Sequence, residues 1–298
     1  MPARAEVASL RRRPRCSVAL LLYLALVAGS PPVLADHGQP GAVPWVSIII
    51  DDIGYRQHED VVALELPGPL AYAIMPHSPL ATQMSDLANR RGKDVLLHLP
   101  MQAVERDKNR FLGPGALTLG MSRRQFIATV ADDLHSFPHI IGVNNHMGSL
   151  LTTNPADMEW LMHFLKGKGK FYIDSFTSKY SVAGSIAREN HIPSMRRDVF
   201  LDDVVDVDYI NGQVDKLIEV AKQKGHAIAI GHPHAETLAV LAKRLPTLDK
   251  YGVRLVSLSR MVYAPVLQNR MVSTDHAADT GRGSTGQAGE EGSKQPGS

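Results

Sequence analysis

A chain of 298 residues is long enough for one large domain or two small ones, and 44% hydrophobic with 21% charged residues excludes a disordered or fibrous protein. Its formal charge is +2, but five arginines against one acid fall within residues 1–35, and the remainder stands at −2. So small a charge gives no electrostatic case for nucleic acid as a partner. Cys16 is the only cysteine, so nothing after it supports a disulfide or thiol chemistry.

Residues 1–35 read as a signal peptide. Arg11-Arg12-Arg13-Pro14-Arg15 precedes an apolar run over 18–28 that is too short to span a bilayer comfortably. Pro31-Pro32 then breaks the helix, and Val33-Leu34-Ala35 presents small residues to a signal peptidase. The expectation is an exported protein, periplasmic or extracellular, with no stable membrane span after cleavage; an uncleaved anchor is the rival reading. Residues 36–44 form a polar Gly/Pro linker, 45–267 the folded domain, and 268–298 a disordered tail of Gly, Ser, Thr, Gln and charge.

Within the domain, short apolar runs alternate with longer amphipathic stretches. Strands are predicted at 46–50, 70–75, 95–99, 140–144, 170–174, 199–201, 227–230 and 254–257. Helices are predicted at 78–91, 122–136, 155–166, 181–190, 210–224 and 235–245, with starts at Ser78-Pro79, Ser122 and Asn154-Pro155. Such alternation predicts an α/β fold, a distorted (β/α) barrel of about seven strand–helix units. A doubly wound open sheet is the runner-up. The long loop over 106–120, with Gly113-Pro114-Gly115, is expected to form a lid or site wall.

Polar groups recur where the predicted strands end. Asp51-Asp52 follows the first strand, and His98 lies in Val95-Leu96-Leu97-His98-Leu99-Pro100-Met101. Asn144-Asn145-His146-Met147-Gly148-Ser149 follows the fourth, Asp174-Ser175 the fifth and Gly231-His232-Pro233-His234 the seventh. Each has a plain explanation taken singly: Asp51-Asp52 as a helix cap, His98 as a hydrogen-bonded core histidine, Asn144-Asn145 as a turn. In a parallel fold, however, all of them gather on one rim, as active-site groups on a barrel do. Two adjacent carboxylates repel and call for a cation, a proton or open solvent. An aspartate with two neutral imidazoles is a donor set that suits Zn²⁺. No Gly-rich phosphate loop, Gly-x-Ser-x-Gly elbow or His-Glu-x-x-His helix is present in the sequence.

The stretches Ile50-Asp51-Asp52-Ile53-Gly54, Leu97-His98-Leu99-Pro100-Met101, Gly142 to Ser149, Tyr172-Ile173-Asp174-Ser175 and Ala229-Ile230-Gly231-His232-Pro233 occur in an order that resembles the divergent polysaccharide deacetylases, the YibQ-type branch of the NodB-like carbohydrate esterase superfamily. That resemblance covers roughly residues 45–264 and implies a distorted barrel of about seven units. It implies a metal triad of Asp52, His98 and His146, with Asp51 as general base and His232 as general acid. Asn145, Asp174 and Ser149 are expected around them, Asn145 as a donor to the oxyanion and Asp174 as a group that orients an imidazole. The implied cofactor is a divalent metal, Zn²⁺ foremost, and the implied partner an acetylated polysaccharide or oligosaccharide.

One position departs from the family pattern. Superfamily members carry their two metal histidines as His-x-x-x-His, whereas four residues after His98 stands Gln102. The second imidazole must therefore come from elsewhere, and His146 is the choice. The same departure motivates a rival, a catalytically silent envelope module that binds glycan or protein. Another metal-dependent hydrolase is the third reading.

Overall fold

A computed structural model describes residues 43–264. The expected signal peptide, most of the linker, the last residues of the domain and the expected tail lie outside the described residues. Among the described residues no helix is long and apolar enough to cross a membrane.

Nine strands are β1 (Trp45–Ile53), β2 (Ala71–Ile74), β3 (Asp94–Met101), β4 (Gly142–Met147), β5 (Phe171–Asp174), β6 (Ser194–Arg196), β7 (Val199–Phe200), β8 (His226–Gly231) and β9 (Arg254–Leu255). Among the described residues, α-helices accompany them: α1 (Gln57–Glu65), α2 (Ala81–Arg90), α3 (Arg123–His135), α4 (Pro155–Gly167), α5 (Ala183–Glu189), α6 (Val207–Lys224) and α7 (Ala235–Arg244), with a further helix over 258–264. Eight strands pair in the order β6-β5-β4-β3-β2-β1-β8-β7, and β9 lies beside the start of β1. Every pairing is parallel.

The sheet curls because the chain leaves no alternative. β6 and β7 stand at opposite ends of the pairing order, yet only Arg197 and Asp198 separate them. A flat sheet of eight strands would hold its edges roughly 33 Å apart at about 4.8 Å per strand. The three Cα steps from Arg196 to Val199 reach at most about 11 Å. The result is the barrel-like α/β architecture that the alternating pattern predicts, closed by a short stretch of chain rather than by a further strand ladder.

Two apolar layers follow from the period of two along each strand. Ile48, Ile50, Leu97, Leu99, Val143 and Tyr172 point outward and are buried beneath the helices. Ile49, Leu96, Phe171, Ile173, Ile228 and Ile230 point inward and pack with Val256, Leu258, Met261 and Val262, which follow β9. A helix over 258–264 is fastened by Asp94, whose carboxylate accepts from the Ser259 N–H at 2.7 Å and its hydroxyl at 3.0 Å. The Phe171 ring takes the space beside Gly142, where a Cβ would lie 2.3 Å from Phe171 Cε2. The lumen is thus a filled core at the N-terminal ends of the strands.

Helix boundaries follow local chemistry. Ser122 and Gln125 form a reciprocal capping box at α3, and Asn154 Oδ1 accepts from the N–H groups of Ala156 and Asp157 at α4, where Pro155 needs no partner. The start expected at Ser78 is displaced: Ser78 Oγ donates instead to Met75 O, and α2 begins at Ala81. Elements that escape the sequence reading include α1, β6 and the helix over 258–264. Gln57-His58-Glu59-Asp60 opens α1 without an apolar stripe, and β6 is three residues of mixed exposure.

Candidate active site

Continuing each inward row toward the C-terminal strand ends turns it from apolar to polar. Beyond Ile49 comes Asp51; beyond Leu96, His98; beyond Gly142, Asn144 and then His146. Beyond Ile173 comes Ser175, beyond Phe200 comes Asp202 and beyond Ile230 comes His232. Register sets their heights: His98 lies opposite Asn144, and Pro100 opposite His146.

Asp52 is the exception to alternation. In a regular strand it would point away from Asp51, under the helices. The register of β1 against β2 slips between Ile50 and Ile53, and Asp52 adopts φ 60°. The bulge and left-handed residue bring both carboxylates to the same site. The turn that follows is tied by Asp60, whose Oδ2 accepts from the N–H of Gly54 at 2.9 Å and of Arg56 at 3.1 Å.

Three donor atoms face one another at the centre. Asp52 Oδ1 lies 3.3 Å from His98 Nε2 and 3.1 Å from His146 Nδ1, and the two nitrogens are 3.1 Å apart. Tetrahedral Zn²⁺ with bonds of about 2.05 Å sets its ligand atoms about 3.3 Å apart, so the triangle has the size of a metal site. Its chemistry agrees. Asp52 Oδ1 is buried with no hydrogen-bond donor, and His98 Nδ1 donates to Asn144 Oδ1 at 2.9 Å, which leaves Nε2 as a lone pair aimed inward. A cation satisfies all three atoms at once.

Around the triangle the remaining groups are held by hydrogen bonds. Asn144, fully buried, donates to Asp51 Oδ1 at 2.9 Å and to Ser175 Oγ at 3.3 Å, and so ties Asp51 to His98. Asp51 Oδ2 stands 3.6 Å from His98 Nε2. Asp202 Oδ1 accepts from His232 Nδ1 at 3.0 Å, and its Oδ2 accepts from the His232 N–H at 2.7 Å and Thr237 Oγ1 at 2.8 Å. His232 Nε2 is thereby aimed at the centre, 3.9 Å from Asp52 Oδ2. Arg197 donates through Nε to Ser175 O at 2.7 Å and through Nη2 to Phe176 O at 3.1 Å, which leaves its charge near Asp51.

Electrostatics separate the two adjacent carboxylates. Burial raises the Asp51 carboxyl above the ordinary range, only partly offset by the charges of His98 and His232 and by Asn144. Burial opposes ionisation of Asp52 too, but the imidazoles of His146 and His98 beside it prevail and hold it well below that range. His232 is disfavoured as a cation by burial, yet the Asp202 bond and the charges of Asp52 and Asp51 push it up to about 9. Asp202, despite burial, is held below its ordinary value by His232.

The structure therefore brings together Asp51, Asp52, His98, His146 and His232, all five named from the sequence for metal or catalytic roles. It does not bring Asn145, Asp174 or Ser149 into that group. Asn145 Oδ1 accepts from Tyr172 Oη at 3.0 Å and the Ser175 N–H at 2.9 Å, on the helix side of β4. Asp174 accepts from Ser181 Oγ and the Phe176 N–H and touches no imidazole. Ser149 Oγ accepts from the Val104 N–H and steadies the loop after β3. Their places are taken by Asn144, Ser175, Asp202 and Arg197, none of which the sequence reading assigns a role. Gln102 serves the loops around the site: its Oε1 accepts from the Leu119 N–H at 2.8 Å, and its carbonyl from the N–H groups of Leu150 and Leu151. A second group with metal-binding spacing, Asp202, His232 and His234, is of another kind, because both Asp202 oxygens already have donors.

Residues 48–262 match the family described as divergent polysaccharide deacetylase. An uncharacterised protein of Haemophilus influenzae is 38% identical over 216 residues, covering 72% of this chain and 76% of the relative. The uncharacterised protein YibQ of Escherichia coli is 33% identical over 246 residues, covering 83% and 73%. Among solved structures, an uncharacterised protein from Agrobacterium tumefaciens superposes with TM-score 0.71 at 23% identity, covering 75% of this chain and 92% of that one.

Proposed function

Because the chain belongs to the divergent polysaccharide deacetylase family, we propose that it hydrolyses acetyl groups, N-acetyl or O-acetyl, on an envelope or extracellular glycan, with Zn²⁺ held by Asp52, His98 and His146. The observation that carries this reading is the placing of a carboxylate of raised proton affinity and an imidazolium within reach of one metal-sized triangle. When bound, the cation supplies Lewis acidity to the acetyl carbonyl and acidifies the attacking water.

The chain's own groups move the protons. Asn144 fixes one oxygen of Asp51 and leaves the other facing the triangle, where it takes a proton from water as general base. The oxygen adds to the acyl carbon, the bond from that carbon to nitrogen breaks, and acetate leaves with the oxygen. His232, cationic at neutral pH and aimed by Asp202, gives its proton to the departing amine. Asn144 takes the N–H of His98 Nδ1, so Nε2 is the nitrogen His98 would offer to the cation. The missing His at position 102 does not argue for a silent module here, since His146, entering from β4 beside Pro100, offers an imidazole of its own. Export, expected from residues 1–35, puts the chain where such glycans are.

The test is acetate release from N- and O-acetylated oligosaccharides by the zinc-loaded protein. Asp51→Asn should retain metal and lose about a hundredfold to ten-thousandfold in turnover. Asp52→Ala should lose both. A metal-loaded protein that releases no acetate from any member of the panel would sink the proposal.

A further inference from the structure

Beside the Asp52–His146 edge lies an open cavity of about 350 Å³ whose walls include Tyr55, Arg56 and Phe111. Tyr55 and Phe111 are 48% and 60% exposed as residues, a poor placement for apolar surface unless something covers it. Both are carried on braced backbone. Asp60 ties the turn that bears Tyr55, and Asn109 closes the loop before Phe111 by accepting from the Ala103 N–H at 2.7 Å and donating to Ala103 O at 3.1 Å. The two walls meet where a Cβ on Gly113 would touch Tyr55 Oη at 3.4 Å. Aromatic faces carry negative potential and attract the polarised C–H groups of a sugar ring.

The charge on these walls is specific. Among the described residues the arginine ion pairs are Arg91–Glu65 and Arg244–Asp215, and Arg56 is in neither. A second guanidinium, Arg110, lies over the Phe111 ring at 4.6 Å from its centroid. Asp52, the acid on the same wall, already faces His98 and His146. Arg56 therefore stands on the wall of an aromatic-lined cavity outside any ion pair of the described residues, although Asp60 lies near enough to feel its charge, and Arg110 stands behind it over Phe111. A planar guanidinium matches a carboxylate with two parallel hydrogen bonds.

Resting on the deacetylase reading, we infer that this cavity selects an acidic substrate: a glycan whose acetylated sugar, or its neighbour, carries a carboxylate that Arg56 binds while Tyr55 and Phe111 hold the ring. The experiment titrates the metal-loaded protein with two tetramers and follows binding by calorimetry. One is a neutral N-acetylglucosamine tetramer; in the other, alternate sugars carry a lactyl carboxylate. The acidic tetramer should bind about tenfold more tightly at low salt, the scale of a charged hydrogen bond. That advantage should shrink at high salt, and the ratio of the two affinities should fall toward one in Arg56→Gln. Phe111→Ala should weaken both tetramers.

Equal affinities in the wild type, or a preference that survives Arg56→Gln with Arg110→Gln, would overturn the inference. If the neutral tetramer is bound and deacetylated as well as the acidic one, only the inference falls. If neither is bound nor deacetylated, the proposed function falls and takes the inference with it.

Discussion

Asn144 is the residue through which the metal site can be tested at a single side chain. Replacing it with alanine removes the acceptor for His98 Nδ1 at 2.9 Å and the donor to Asp51 Oδ1 at 2.9 Å, both in a fully buried setting. A buried N–H left without its partner costs about 1–3 kcal/mol, and a lost bond to a charged carboxylate about 1.5–3 kcal/mol. Part of that cost falls on the free protein, as lower stability. Part falls on metal affinity, because the imidazole is no longer held in one tautomer and orientation; outer partners of this kind are worth about 10–100-fold. Asn145→Ala is the matched control. It removes bonds to Tyr172 and Ser175 on the helix side and should lower stability while leaving zinc affinity close to wild type. Competition titration against a chromophoric chelator, with thermal unfolding of the same samples, reads both quantities. If Asn144→Ala keeps wild-type zinc affinity, or Asn145→Ala loses it, the inward and outward assignment of β4 is wrong.

Gly142→Ala places a methyl 2.3–2.5 Å from the Phe171 ring, and overpacking of this kind costs about 1–3 kcal/mol. At about 2–4 °C per kcal/mol for a domain of this size, Tm should fall by about 2–12 °C and recover partly with Phe171→Leu; an unchanged Tm would refute the filled lumen. Burial, with a contribution from Asp132, pushes the Asp133 carboxyl up to about 8, beneath Gly115 and beside His77. The folded state thus keeps this proton to higher pH than the unfolded chain does, so stability is greatest below about 4 and declines as pH rises toward about 8. Asp133→Asn should abolish that decline in chemical unfolding across the range; a variant that tracks the wild type at a constant offset would contradict it. Asp202→Asn removes the group that holds His232 near 9, so the alkaline limb of the rate profile should move toward the ordinary 6.5. A limb that does not move would place the acid elsewhere.

The strand ends are legible because runs of β-branched residues stop abruptly at polar ones, as at Ile50-Asp51 and Ile230-Gly231-His232. Parity is not. In a sheet buried on both faces, alternating residues are apolar either way, so nothing in Ile48-Ile49-Ile50 says which one faces the lumen. Hence the sequence points to Asn145 and Asp174 where Asn144 and Ser175 face inward. The signal is present in one place: Gly142 amid an apolar strand marks close approach by another group, and counting in twos from it reaches Asn144 and His146. Asp52 breaks the same count, because a bulge and a left-handed residue turn it inward, and no propensity of aspartate announces that. Asp202 is hidden for a third reason: it follows a strand of only two residues, Val199–Phe200, and declares itself only against His232 at the end of the neighbouring strand β8.

Metal content bears most directly on the whole account. The protein, stripped with chelator, reloaded with zinc and desalted, should carry one zinc per chain by mass spectrometry of the metal. The triple variant Asp52→Ala, His98→Ala, His146→Ala should carry none while its circular dichroism spectrum stays that of the wild type. A folded triple variant that binds zinc as the wild type does would show that the triangle of Asp52, His98 and His146 is not a metal site.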